Sequence, residues 1–97
     1  MAPEVPVALV EWEAFLGWLL DHTGKFPRDV RFTLSARIDN LALDVYERLV
    51  EARFQRDRAV VLQRINIELE KLRLLLRLSH SRRLLSDGSL RHAAERI

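Results

Sequence analysis

The stretch LRLLLRLSHSRRLL, Leu72–Leu85, sets Arg73, Arg77, Arg82 and Arg83 among leucines, and with Lys71 before it contains five basic side chains and no acid. Three readings are open: a membrane-seeking helix, a core helix with solvated arginines, or a surface that holds a polyanion. Where the arginines point separates them. At 3.6 residues per turn, Leu62, Ile65, Leu69, Leu72 and Leu76 fall within about 80° of one another, the stripe expected against a bundle core. Val60, Ile67, Leu74 and Leu78 gather on the far side, with Leu75 at its edge. Arg73 and Arg77 share a flank with Asn66 and His80. Arg64, Lys71 and Arg82 align near the second apolar stripe, and Arg83 lies toward the core side near the helix end.

An interfacial helix needs one wide apolar face and one basic face. Leucines on two sides argue against the membrane reading. The arginines are then either a solvated face, their stems covering apolar neighbours while Glu68 and Glu70 pair locally, or a phosphate-binding surface.

Outward from this helix, the 97 residues contain only three prolines, at positions 3, 6 and 27, and no sustained alternating pattern, so the chain reads as all-α. Helix 1 is predicted over about 6–23, with Pro6 in its first turn and Val10, Phe15, Trp18 and Leu19 at helical spacing, until Gly24 and Pro27 stop it. Of Trp12 and Trp18, one should face the core and the other a partner. Helix 2 is predicted over about 28–54. Its core stripe is Leu34, Ile38, Leu41, Val45, Leu49 and Ala52.

A second stripe on helix 2, Phe32, Ala36, Leu43, Tyr46, Val50 and Phe54, lies nearly opposite, with a polar wedge between the two that includes Arg37, Asp44 and Arg48. Two apolar stripes need cover on two sides, so part of the cover must come from further helices or another subunit. The charged link at 55–58, with Asp57 as N-cap, predicts a hairpin to helix 3 over about 58–85. Ser86 or Ser89 caps a fourth helix over about 88–97. The expected architecture is an antiparallel, up-down-up-down four-helix bundle in one domain, 1–97.

Composition narrows function further. The chain has no cysteine, which excludes a disulfide scaffold and a thiolate zinc site. Its longest apolar run, Ala14–Leu20, is far short of the roughly 18 residues a spanning helix needs, and no basic leader precedes it, so a soluble, cytoplasmic chain is expected. The net charge of +2 hides an asymmetry: residues 1–52 carry five basic and nine acidic groups, residues 53–97 eleven and five. Such polarity favours a polyanion or an oppositely charged neighbour.

His22, His80 and His92 have no metal-ligand spacing, no nucleophile-elbow glycines accompany Ser79, Ser81 and Ser86, and three glycines make no phosphate cradle. No catalytic residue, metal or cofactor is expected. Asn66 reads as a buried, register-fixing polar group. The seven aromatics read as core, too few and too well placed for a base-stacking platform.

Two motifs carry a family resemblance. KFPRDVRFTLSARI, Lys25–Ile38, and LQRINIELEKLRLLLRLSHSRRLLS, Leu62–Ser86, resemble the helix 1 to helix 2 junction and the third helix of a four-helix-bundle family. That family includes proteins encoded in ribosomal RNA intervening sequences and the accessory variability proteins (Avd) of diversity-generating retroelements. The unbroken LEKLRLLLRLSHSRRLLS points to the Avd branch. The resemblance implies a ring-like homo-oligomer, a homopentamer, with a basic surface. It also implies association with the retroelement's reverse transcriptase and with RNA or DNA during mutagenic copying, and no enzymatic activity.

Carried onto this sequence, the third-helix motif makes Lys71, Arg73, Arg77, Arg82 and Arg83 the candidate nucleic-acid-binding surface, to which the helical register adds Arg64. Phe26, Pro27 and Phe32 look like packing and helix-start positions. Family members usually continue helix 4 to a glycine-rich end with a terminal aromatic, whereas this sequence stops at Ile97; either the fourth helix is shorter here or the sequence is truncated, and both leave the oligomer contacts of helix 4 open. The alternative function is a structural, scaffolding homo-oligomer whose arginines pair only with acidic faces of neighbouring subunits.

Overall fold

A computed structural model describes residues 6–97, all of whose regular elements are helical. Four α-helices follow one another: α1, Val7–Thr23; α2, Ala36–Phe54; α3, Arg58–Ser81; and α4, Asp87–Arg96. Pro6 occupies the N-cap position of α1, so the helix begins one residue after the predicted start, and the Pro6 carbonyl accepts from the amides of Leu9 and Val10. The α1 core face is Trp12, Phe15, Leu16 and Leu19, whereas Val10 is exposed.

The segment predicted as one helix from 28 to 54 is helical throughout but not uniformly so. A 3₁₀ turn, Arg28–Val30, follows Pro27, and a π-helical segment, Arg31–Ser35, leads into α2. The tight and wide turns let the chain leave α1 and re-enter a helix without a long loop. Of the predicted core stripe, Leu34, Ile38 and Val45 are buried and Leu41, Leu49 and Ala52 half-buried, so the stripe faces inward; Ala42, outside it, is buried as well.

A three-residue link, 55–57, returns the chain antiparallel to α2. Asp57 stands at the N-cap of α3 but its side chain makes no capping bond. Ile65, Leu72 and Leu76 are buried, while Leu62, near the hairpin, is half exposed. Asn66 is exposed, a correction to its reading as a buried polar group: it lies on the flank of α3 beside the core stripe, while its neighbours Ile65 and Glu68 take the buried side.

The predicted end of helix 3 at Leu85 is also corrected. The helix stops at Ser81, because the Leu84 amide bonds the Ser79 carbonyl and the Arg83 amide the His80 carbonyl. This paired closure puts the residue after the cap in the left-handed region, where Arg83 has φ 63°. Glycine usually takes that place, so arginine gave no stop signal. Ser86 caps α4 by accepting from the Ser89 amide, and α4 begins at Asp87 and ends at Arg96.

Trp12 is buried and donates its indole N–H to the Ala42 carbonyl at 2.9 Å, tying α1 to α2. Trp18 is placed differently from the partner-facing expectation. Its ring stacks on His22 at 3.9 Å and on His92 at 4.4 Å, so it joins α1 to α4 within the chain. No helix among the described residues is long and apolar enough to cross a membrane.

Candidate nucleic-acid interface

Burial sorts the charged groups into those that hold the bundle and those left to solvent. Glu68 does not pair along its own helix. Arg48 Nε donates to its Oε1 across α2 and α3 at 2.6 Å, with the two side chains 24% and 9% exposed. This bond raises the Arg48 pKa. Thr23 Oγ1 donates to Asp39 Oδ1 at 2.6 Å between α1 and α2. Burial raises the Asp39 pKa and the hydroxyl opposes the rise. His80 Nε2 lies 2.5 Å from Asp87 Oδ1 where α3 meets α4, and that hydrogen bond holds the Asp87 carboxyl below its usual range.

Of the six candidate basic residues, Arg73 is committed inside the chain. It is half-buried and donates to Glu70 at 3.0 Å and to the Ile97 carbonyl at 2.6 Å. Arg64, Lys71, Arg77, Arg82 and Arg83 are exposed, and none pairs with an acid among the described residues. The six do not form one patch. By helical register Arg64 and Lys71 lie on one flank of α3, which Arg82 continues beyond the helix end, while Arg73 and Arg77 lie on the other. Arg83 sits in the turn after α3.

Between those flanks the second apolar stripe of α3 stands uncovered, with Val60, Ile67 and Leu74 61%, 52% and 53% exposed. On α2, Val50 and Phe54 are exposed as well, and Arg53 lies over the Phe54 ring at 5.8 Å. Exposed apolar strips of this kind mark surfaces that meet something other than water.

Among the described residues, two concavities bear on the surface. The first, of about 830 Å³, is walled by all four helices, with Trp12, Phe15, Leu49, Leu69 and His92 among its lining. The second, of about 660 Å³, lies between the start of α2 and the end of α3. Arg37 and Arg82 line it together with Phe32, a residue 86% exposed.

Sequence reasoning assigned Phe32 to packing and Arg37 to a polar wedge. The position of Phe32 in the stripe opposite the core was the signal that it stands outside. Among the described residues no group of acids and histidines could hold a metal ion.

These features define a small helical-bundle protein whose exposed surfaces are apolar strips bordered by arginines. A sequence profile described as bAvd-like matches residues 7–97, and the chain belongs to that bAvd-like family. No curated protein and no solved structure matches it.

Proposed function

We propose that this chain is a non-enzymatic accessory protein of a diversity-generating retroelement. It self-associates into a ring-like homo-oligomer, a homopentamer by resemblance to the Avd branch, and binds RNA or DNA through basic residues of α3. In the cytoplasm it thereby joins the reverse transcriptase during mutagenic copying. Membership of the bAvd-like family supports the accessory role.

The observation that carries the reading is the outer face of α3. Val60, Ile67 and Leu74 recur every seven residues and are exposed, with Arg64 and Lys71 between them. A seven-residue apolar repeat suits a second helix laid along it. The cations beside it, multiplied around a symmetric assembly, would neutralise many phosphates without reading bases.

The test is light scattering during titration with labelled single-stranded RNA at about 50 and 200 mM salt, where a polyanion binder with several phosphate contacts weakens by orders of magnitude. The wild type should bind at the lower salt as a particle larger than one chain. Arg64→Glu, Arg77→Glu and Arg82→Glu combined should flatten the salt dependence and leave helicity intact. A large particle that ignores RNA at both salts would leave the scaffold reading in its place.

A further inference from the structure

We infer that the cleft between the start of α2 and the end of α3 is a stacking site for an unpaired nucleobase, so that the protein selects single-stranded over double-stranded nucleic acid. The inference rests on the nucleic-acid reading above and adds to it a site that the basic residues alone do not define.

The cleft begins with an aromatic ring in an unusual place. Phe32 sits on the π-helical segment Arg31–Ser35 and is 86% exposed, although Leu34 and Ser35 of the same segment are buried. Across from it, Leu75 and Leu78 on α3 make an apolar wall. The cleft of about 660 Å³ falls in the common range for ligand clefts, about 300 to 1,000 Å³.

Its charge is the second observation. Arg37 and Arg82 stand on opposite walls, both exposed and neither paired with an acid among the described residues. Asp29 is the only acid among the lining residues, so the guanidiniums outnumber it. A flat apolar face flanked by guanidiniums matches a nucleotide, whose base stacks while its phosphates take charge-assisted hydrogen bonds. The cations also continue beyond the cleft. On the same flank of α3, Lys71 and Arg64 follow Arg82 at about 16 and 27 Å along the axis, a line that suits an extended strand better than a compact acidic peptide.

A duplex cannot offer an unstacked base to Phe32, and that difference makes the test. Binding of a 5′-labelled 12-nucleotide RNA and of the same sequence as a duplex would be followed by fluorescence anisotropy. Phe32→Ala should weaken single-strand binding about 5- to 100-fold and change duplex binding less than about twofold. Phe32→Trp should restore or tighten single-strand binding, whereas Arg37→Glu with Arg82→Glu should weaken both ligands. Because Phe32 is exposed, circular dichroism should show unchanged helicity for every variant.

Phe32→Ala binding the single strand as well as wild type, while the arginine variants weaken it, would overturn the stacking site and leave the proposed function standing. A drop in particle mass on Phe32→Ala with unchanged RNA affinity would assign the cleft to a contact between subunits and would also overturn it. Wild-type protein that binds neither RNA would sink both the site and the nucleic-acid reading on which it rests.

Discussion

Arg48 and Glu68 show how little a sequence says about whether a charge is structural. Both read as members of polar surfaces, yet they meet at 2.6 Å between α2 and α3, and Glu68 Oε2 is buried with no hydrogen-bond partner. Removing only the cation leaves a carboxylate that has lost both its water and its partner. Arg48→Ala should therefore destabilise the fold by about 2 to 3 kcal/mol, measured by urea unfolding. Replacing both residues together, Arg48→Met with Glu68→Leu, should recover most of that loss, because the desolvation cost disappears with the charges. If Arg48→Ala unfolds at the wild-type midpoint, the bond contributes nothing to stability. Arg73 follows the same logic at lower burial: its bonds to Glu70 and the Ile97 carbonyl make it a brace between α3 and α4 before it is anything else.

The end of α3 is decided by one backbone conformation. Arg83 holds φ 63° to complete the paired closure of the helix, a conformation that costs a residue with a Cβ about 1 to 2 kcal/mol and glycine almost nothing. Arg83→Gly should stabilise the protein by about 0.5 to 1 kcal/mol after the extra entropy of the unfolded glycine is counted, read as a higher urea midpoint. A lower midpoint would mean that the Arg83 side chain makes a stabilising contact that outweighs the strain. The same turn aims α4 back along the bundle, where the Ser86 cap, the His80 to Asp87 bond and the Trp18 stack on His92 hold it. Further along α4 the buried Ala93 packs into the core and Arg73 donates to the Ile97 carbonyl, so the helix is tied to the bundle over its whole length.

Across the whole molecule the apolar surface exceeds what four helices of these lengths cover. Val60, Ile67 and Leu74 on α3 and Val50 and Phe54 on α2 remain in water. If the proposed assembly forms through the α3 strip, Ile67→Glu with Leu74→Glu should reduce it to the mass of one chain in light scattering while far-ultraviolet circular dichroism stays unchanged, since neither side chain supports the core. A double variant that keeps the wild-type mass would show that the α3 strip is not where subunits meet. The charge asymmetry between the two halves of the sequence is preserved at this scale as exposed cations on α3, while Asp44, Glu47 and Glu51 of α2 are exposed acids.

Periodicity alone made the helices and their inward faces legible. Leu34, Ile38 and Val45, and Ile65, Leu72 and Leu76, are buried where a period of 3.6 residues puts them, because an apolar stripe has to leave water and only one side of each helix meets its neighbours. The same count revealed a second stripe on α2 and on α3 and the basic residues beside it. Periodicity could not say which of those basic residues were already engaged, since Arg73 reaches the Ile97 carbonyl 24 positions away. Nor could it bring Phe32, Arg37 and Arg82 to the walls of one cleft, or end α3 at Ser81 without a glycine to mark the turn. Those features depend on contacts between residues distant in the chain and on a single left-handed dihedral. The sequence by itself thus determined the helices and their faces through local spacing, and the tertiary structure decided the cleft, the bound charges and the free ones through distance in space.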